Sequence, residues 1–243
     1  MESVPFQITA SGDTALVIEF GDLIDRTLSD RVLNANTVIS HASLNGIVEL
    51  VPTFRSLMVH YDPLTITASD LIAELTPLID VDCDSGGGAR HWKIPTCYEG
   101  DKAPDLENVA QRTGLTQDVV VNTHINQLYH VYMIGFLPGY PYMGDLPEEL
   151  QLPRREAPRL RVPAGSIAIA TTMTAIYPIK SPGGWHLIGT TPVSIFDSRF
   201  DNPAVFSPGD AVTFVPVSTH EFHKIELAVA AGDYALSSAE HKS

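Results

Sequence analysis

Residues 46–61 read GIVELVPTFRSLMVHY, and this stretch decides how the first third of the chain folds. Two apolar runs, residues 46–51 and 56–61, flank the short connection Pro52-Thr53-Phe54-Arg55. Apolar runs on either side of a proline-containing turn are typical of two antiparallel strands. The stretch therefore predicts a strand, a turn and a returning strand, around which the neighbouring segments can be arranged.

The segments on either side of this hairpin alternate between strand and helix patterns. Residues 6–9 and 15–20 predict strands, and the apolar positions of residues 27–39 recur on one helical face. A second helix begins near Thr67 or Ser69, either of which can cap it, and continues to about residue 75. The order β-α-β-β-α predicts a ferredoxin-like unit, which one more strand would close.

Residues 82–88, DCDSGGG, are typical of a flexible connection between two domains. They match neither a P-loop nor a GxGxxG pattern, so they give no phosphate-binding signature. We therefore predict a ferredoxin-like α/β domain over residues 1–85 and a second domain over residues 86–243. Residues 91–98 predict a strand that either closes the first domain or opens the second.

The second domain changes from helices to short strands along its length. Residues 105–113 and 116–124 predict two helices, the second capped by Thr116. Predicted strands then cover residues 129–136, 165–170, 186–188, 193–197 and 211–215. Short strands between proline- and glycine-rich turns favour a β-barrel or a sandwich over a parallel sheet. We expect residues 237–243, which are small and polar, to fray.

The composition excludes several classes of function. With 15 basic and 29 acidic residues the formal charge is −14, which argues against nucleic-acid backbones and anionic lipids as partners. No apolar run approaches the roughly 20 residues that span a bilayer, and residues 1–13 do not resemble a signal peptide. We expect a cytoplasmic protein, with Cys83 and Cys97 as reduced thiols rather than a disulfide or a metal pair.

Familiar catalytic and metal-binding motifs are missing from the sequence. His220-Glu221-Phe222-His223 is one residue short of the HExxH zinc motif, and the local pattern is that of a strand or its end. A GxSxG nucleophile motif is not present. We expect no metal site.

Three segments have compositions that local structure does not explain. Residues 135–144, GFLPGYPYMG, are dense in glycine, proline and aromatics. Residues 153–163, PRREAPRLRVP, carry four arginines, which suit a carboxylate or phosphate but would equally suit a surface hairpin paired with the protein's own acids. Residues 177–185, YPIKSPGGW, predict a rigid loop that presents its backbone to a ligand or a partner.

These three segments resemble the allophanate hydrolase subunit 1 / KipI / PxpB family, which includes a half of the carboxyltransferase domain in urea carboxylases. The matching stretches are GFLPGYPYMGDLP, PRREAPRLRVPAGS and IYPIKSPGGWHLIGTTP, in that order. ELVPTFRSLMVHYDP and the Pro208-Gly209-Asp210 turn also resemble the family, so the likeness covers nearly the whole chain.

The resemblance implies a ferredoxin-like N-terminal domain followed by a cyclophilin-like β-barrel domain. It implies the B subunit of a 5-oxoprolinase, which opens 5-oxo-L-proline to L-glutamate with ATP. The implied partners are a KipA/PxpC-type subunit and a PxpA-type subunit, and we expect the chain to be inactive alone. The alternatives are a KipI-like inhibitor of a sensor histidine kinase and a carboxyltransferase-type subunit acting on urea or a related amide.

The resemblance and the loop chemistry together suggest candidate site residues. His124 matches a histidine position of the family and is the candidate acid–base residue. The alternative is a structural role, in which a histidine at the C-terminal end of a helix interacts with the helix dipole. Arg155 is the candidate for stabilising phosphate charge. The candidate substrate-binding residues are Arg154, Arg159, Arg161, Tyr177, Lys180, Ser181, Gly183 and Gly184. The sequence does not locate the ATP site.

One loop departs from the family pattern. Where the family usually reads like IAGGQTGIYP, residues 169–178 read IATTMTAIYP. Threonine in place of glycine loses easy access to positive φ, and Met173 replaces an amide that could bind a polar substrate. Either the substrate differs or the loop follows another path.

Overall fold

The computed structural model describes residues 6–79, 81 and 89–240. The chain divides into two compact units, Met1–Gly88 and Ala89–Ser243, and both units mix helices with strands. The glycine-rich connection, the predicted boundary between residues 85 and 86, Cys83 and residues 241–243 lie outside the described residues. No helix in the described part of the chain is long and apolar enough to cross a membrane.

The described part of the first unit is one antiparallel sheet with two helices. Its strands are in the order β1-β2-β4-β3. The elements are β1 (Gln7–Ala10), β2 (Ala15–Glu19), α1 (Arg26–Ala42), β3 (Ile47–Pro52), β4 (Ser56–Tyr61) and α2 (Ala68–Ile79). The predicted hairpin is confirmed, because β3 pairs antiparallel with β4 and places Val51 opposite Met58. The edge beside β2 is occupied by β1 rather than by a strand from residues 91–98.

The core of the first unit follows the predicted helix periodicity. Asp25 caps α1 by accepting a hydrogen bond of 2.9 Å from the Leu28 backbone N–H. One face of α1 is buried, through Leu28, Ser29, Val32, Ala35 and Ile39. This face joins a cluster with Leu71 and Leu75 of α2 and with the inward side chains of β2 and β4. Burial of this apolar surface stabilises the unit.

In its described residues, the second unit contains the remaining strands and three helices. Its strands are β5 (Arg90–Thr96), β6 (Tyr129–Ile134), β7 (Pro141–Gly144), β8 (Arg159–Val162), β9 (Ser166–Ala170), β10 (Met173–Ile176), β11 (Ser181–Gly183), β12 (His186–Thr190), β13 (Ala211–Pro216) and β14 (Ser238–Glu240). Its helices are α3 (Leu106–Thr113), α4 (Gln117–Ile125) and α5 (Thr219–Ala231). Short 3-10 turns cover Gly100–Lys102 and Glu148–Leu150.

Eight strands of this unit form one large sheet, in the order β12-β9-β10-β7-β6-β13-β5-β14. Only the β13–β5 pair is parallel among these described strands. The strand pairing does not close into a barrel in the described residues. The nearest approach is an isolated bridge in which Cys97 and Thr190 exchange backbone hydrogen bonds of 2.9 and 3.0 Å.

A separate two-stranded sheet brings two of the unexplained segments together. β8 carries Arg159 and Arg161, and it pairs antiparallel with β11 of the proline–glycine loop. In this register Gly183 lies opposite Arg159 and Ser181 lies opposite Val162. The arginine segment and the loop therefore form one structural element.

Three local predictions are wrong. Residues 193–197 are not a strand, and Phe196 makes only one isolated bridge, to Ala204. Residues 220–223 lie in α5 rather than in a strand, because Ser218 and Glu221 form a reciprocal capping box. Residues 238–240 do not fray, because β14 pairs antiparallel with β5.

The departing loop is the tight turn between β9 and β10. Thr171 adopts a φ of 52°, in the left-handed region that favours glycine. Its backbone N–H donates to the Leu152 carbonyl at 2.6 Å, and the Leu146 N–H donates to the Thr172 carbonyl at 3.2 Å. These contacts hold a threonine in a conformation that its side chain disfavours.

We predict that Thr171→Gly stabilises the protein, because glycine relieves the cost of the left-handed conformation. The expected gain is about 0.5–1 kcal/mol, since the relief of roughly 1–2 kcal/mol is partly offset by the greater freedom of unfolded glycine. The measurement is the free energy of unfolding from urea titration. The control Thr172→Gly, at the neighbouring residue without positive φ, should lower stability. Equal losses in both variants would show that Thr171 is not strained.

Candidate functional site

A nearly buried carboxylate, that of Asp105, is the centre of the candidate site. Asp105 is the N-cap residue of α3, is 3% exposed, and its carboxylate makes no capping hydrogen bond to that helix. Arg159 donates from Nη1 to Oδ2 at 2.8 Å and from Nη2 to Oδ1 at 2.7 Å, while Arg155 Nη1 donates to Oδ1 at 2.8 Å. The Leu187 N–H donates to Oδ2 at 2.7 Å. The carboxylate thus binds two guanidinium groups and one backbone amide.

The ionised form of Asp105 is the favoured one despite its burial. Burial by itself raises the pKa of this carboxyl, but the hydrogen bonds from Arg159 and Leu187 and the charges of Arg159 and Arg155 together lower it below the ordinary value. Two backbone hydrogen bonds support the same arrangement: the Asp105 N–H donates to the Leu187 carbonyl at 2.9 Å, and the Arg155 N–H donates to the Gly184 carbonyl at 2.8 Å.

Sequence reasoning missed Asp105. It treated this residue only as the start of a helix, which is a common position for aspartate. Its partners Arg155 and Arg159 lie 50 and 54 residues further along the chain, so no local pattern connects them. The only available signal was that four arginines in an acidic chain require acidic partners.

A cavity of about 480 Å³ opens beside Asp105. Its walls carry Asp105, Asn108, Arg112, Arg155, Glu156, Ala157 and His186. Two cations, two carboxylates, an amide and an imidazole therefore surround a space large enough for a small polar molecule.

The His186 imidazole is fully buried at the wall of this cavity. Its Nε2 lies 2.9 Å from the Pro153 carbonyl oxygen. Burial lowers the pKa of His186, and the charges of Arg112 and Arg155 act in the same direction. Among the described residues, His186 Nδ1 and Arg155 Nε are buried and have no hydrogen-bond partner.

The other predicted binding residues surround this site to different extents. Arg154, Arg161 and Lys180 are exposed, and the Arg154 guanidinium lies 6.0 Å from the centroid of the Trp185 ring. The Ser181 hydroxyl is buried and has no partner in the described part of the chain. Gly184 contributes its carbonyl to Arg155.

Tyr177 belongs to an aromatic cluster rather than to the cavity wall. Its ring packs edge-on against Tyr140, with centroids 5.1 Å apart, and Tyr140 also contacts Tyr142 and Trp185. Burial raises the pKa of Tyr177 and of Tyr140, so both remain neutral phenols. A side chain at Gly183 would collide with the Tyr177 hydroxyl, which explains why this position lacks one.

His124 lies in the core of the second unit, away from the cavity wall. It is 0% exposed and stacks on Phe214 with ring centroids 4.5 Å apart. Its Nε2 is 3.1 Å from Thr174 Oγ1, and its Nδ1 is 2.8 Å from the Tyr98 hydroxyl. Because the Thr174 hydroxyl donates to the Ala168 carbonyl, Nε2 must donate to Thr174 and Nδ1 must accept from Tyr98.

Burial lowers the pKa of His124 from 6.5 to about 3, so it is neutral at physiological pH. Both of its nitrogens are occupied by protein groups, which fits a structural role. The acid–base role of His124 stays a prediction.

In the part of the chain that the structure describes, no group of three or more His, Cys, Asp or Glu side chains is arranged to hold a metal ion. His220 and His223 lie on α5, where His223 Nδ1 contacts Glu226 at 3.2 Å. Cys97 is buried and makes no disulfide, and its Sγ lies 3.7 Å from Thr219 Oγ1.

Comparison with known sequences gives a family match and close relatives. The family model for the carboxyltransferase domain, subdomains C and D, matches residues 6–206. The Bacillus subtilis protein named as the B subunit of 5-oxoprolinase is 36% identical over 235 residues, which cover 91% of this chain and 97% of that protein.

Solved structures share the fold. The crystal structure of TTHA0988 is 34% identical with a TM-score of 0.74, and the match covers 84% of this chain but 39% of that one. The Kluyveromyces lactis urea amidolyase has a TM-score of 0.81 at 21% identity, over 98% of this chain and 16% of that one, which is a likeness of fold alone. This chain therefore spans less than half the length of either structure.

We predict that Asp105→Asn destabilises the second unit by about 3 kcal/mol. The amide keeps the shape of the carboxylate but leaves two guanidinium groups without their counter-charge. Urea unfolding of the variant and of the exposed control Asp101→Asn should show this loss only in the former. If the two variants unfold alike, the carboxylate does not hold the arginines in place.

We predict a loss of stability on acidification that depends on His124. The unfolded histidine binds a proton near pH 6.5 and the folded one only near pH 3, so its contribution is complete above pH 6.5 and declines as the pH falls toward 3. Over that range the unfolding free energy of the wild type should fall by up to about 1.4 kcal/mol per pH unit more than that of His124→Gln.

Urea titrations at several pH values between 7.5 and 4 provide this measurement. The control is His223→Gln, because the His223 side chain is 56% exposed. The control should keep the pH dependence of the wild type. A His124→Gln variant with that same dependence would contradict the burial of a neutral imidazole.

Proposed function

We propose, because this chain belongs to the family of the carboxyltransferase domain, subdomains C and D, that it is the B subunit of an ATP-dependent 5-oxoprolinase. The observation that carries the proposal is the identity of 36% to a protein named as such a subunit, over nearly the full length of both chains. Relatives of this kind support an enzyme-subunit role, in which the chain takes part in hydrolase or carboxylase chemistry.

The proposed reaction opens 5-oxo-L-proline to L-glutamate. A lactam resists hydrolysis because its nitrogen lone pair is delocalised into the carbonyl. ATP supplies activation by phosphorylating the carbonyl oxygen, and we place its binding in the assembled complex, since this chain has no P-loop.

The arginines of the candidate site suit the charge that builds up in such a reaction. Asp105 fixes the Arg155 and Arg159 guanidinium groups, so their positions are set before a ligand arrives. Pre-positioned donors stabilise developing negative charge without the cost of reorganisation. Arg155 lines the cavity, which makes it the better candidate for contact with the reacting group.

The proposed assembly contains a KipA/PxpC-type subunit and a PxpA-type subunit, and the chain is inactive alone. In this proposal the complex is cytoplasmic, as expected for an intracellular metabolite.

The proposed fold is ferredoxin-like for the first unit and cyclophilin-like for the second. The order β2-α1-β3-β4-α2 supports the former, and the isolated bridge between Thr190 of the edge strand β12 and Cys97, which directly follows β5, supports the latter.

A carboxyltransferase-type subunit for urea or a related amide is the second candidate. The description of the matching family supports it, as does the fold shared with urea amidolyase. The KipI-like kinase inhibitor stays an expectation of the sequence resemblance.

We predict glutamate and ADP release from 5-oxo-L-proline and ATP when this chain is mixed with its co-encoded partner subunits. Omitting any one subunit should abolish release, because the reaction needs the assembled complex. Parallel reactions with urea identify the second candidate. An intact complex that turns over urea but not 5-oxoproline would overturn the first proposal, and failure to form any complex would favour kinase inhibition.

The same assay tests the proposed role of Arg155 in the reaction. Arg155→Ala should lower kcat/KM by about 100-fold, in the range seen when a donor to a developing oxyanion is removed. Arg199→Ala is the matched control, since the Arg199 side chain is 84% exposed and forms a surface ion pair with Asp197. Unchanged kcat/KM for Arg155→Ala in a complex that still assembles would exclude Arg155 from the reaction.

A further inference from the structure

Two unpartnered polar atoms belong to side chains that line the Asp105 cavity. His186 Nδ1 and Arg155 Nε are both buried, and neither has a hydrogen-bond partner among the described residues. His186 is 0% exposed, so its imidazole cannot turn to bulk water for a partner. Buried polar atoms in native proteins are nearly always paired, and an exception requires an explanation.

The hydrogen-bonding roles of the two atoms follow from their surroundings. The Pro153 carbonyl oxygen can only accept, so His186 Nε2, 2.9 Å away, carries the ring proton. In the neutral imidazole Nδ1 is then an acceptor. Arg155 Nε always carries hydrogen and is a donor. Two side chains that line the cavity therefore carry one unfilled acceptor and one unfilled donor, both of them buried.

We propose that this pair recognises the edge of an amide, with His186 Nδ1 accepting from the amide N–H and Arg155 Nε–H donating to the amide oxygen. A lactam, a primary amide and urea all present N–H and C=O on the same side. The trans peptide bond directs them to opposite sides, so the pair excludes ordinary peptides. The choice of a lactam as the physiological member of this class rests on the proposed function.

A third group at the cavity selects for a carboxylate on the same ligand. Arg112 lines the cavity, is exposed, and makes no ion pair in the part of the chain that the structure describes. A guanidinium beside the amide pocket suits an amide that carries its own carboxylate. The ligand class is therefore a small cyclic amide acid, with urea as a weaker ligand that lacks the carboxylate.

The test compares two ligands that differ only in the proposed hydrogen bond. The probes are 5-oxo-L-proline and 5-oxotetrahydrofuran-2-carboxylate, in which a ring oxygen replaces the N–H. Binding is measured by calorimetry, with the whole chain alone and with its co-encoded partners. We expect the lactam to bind about 10-fold more tightly than the lactone, as for the loss of one hydrogen bond that leaves a buried group unpaired.

Two variants of His186 separate recognition from structure. His186→Gln can keep a donor to the Pro153 carbonyl but loses the Nδ1 acceptor. This variant should therefore bind the lactam and the lactone with about equal affinity. His186→Asn places its amide near the Nδ1 position and loses the Pro153 contact, so it should retain the preference. Thermal melting of both variants monitors folding.

The outcomes distinguish this inference from the proposed function. If the complex hydrolyses 5-oxoproline but His186→Gln keeps the lactam preference, the inference is wrong and the function stands. If the complex does not hydrolyse 5-oxoproline but the preference still depends on Nδ1, the function is wrong and the inference stands. Absence of binding by the lactam to both the chain and the complex overturns the inference.

Discussion

The ion pairs between Asp105 and the two guanidinium groups of Arg155 and Arg159 are the interaction on which the candidate site depends. They connect the start of α3, the arginine segment and, through the Leu187 amide, the strand β12. A buried carboxylate is costly unless it is fully paired, and here every contact that compensates the burial comes from a residue at least 50 positions away in the chain. The same contacts therefore determine where the cavity lies and which side chains reach it.

Two fully buried histidines of the second unit, His124 and His186, show how similar environments lead to different roles. Burial lowers the pKa of both, so both are neutral. His124 has a partner on each ring nitrogen, whereas His186 has a partner on only one among the described residues. An imidazole with partners on both ring nitrogens stabilises the core. An imidazole with one unpaired nitrogen, on a residue that lines a cavity, can still accept a hydrogen bond from a ligand.

Much of the fold was predictable from the sequence, because its signals are local. The α1 face, the β3–β4 hairpin and the Thr116 cap follow from periodicity and from residues next to each element. The errors at residues 220–223 and 238–240 arose where a cap or a distant strand outweighed local pattern. The site was predictable only in part: composition identified the arginines, but Asp105 and His186 acquire their roles through contacts across more than 30 residues.

The position of β5 in the large sheet has a consequence for biosynthesis. This strand is made early in its unit, yet both of its neighbours, β13 and β14, come more than 110 residues later. At a translation rate of about 5–20 residues per second, the edge that pairs with β13 stays unpaired for roughly 6–24 s and the edge that pairs with β14 for roughly 7–29 s. Such non-local pairing slows folding and exposes strand edges to other nascent chains. The second unit is therefore most prone to aggregation while it is still being synthesised, and chaperones that bind unfolded chains would protect it at that stage.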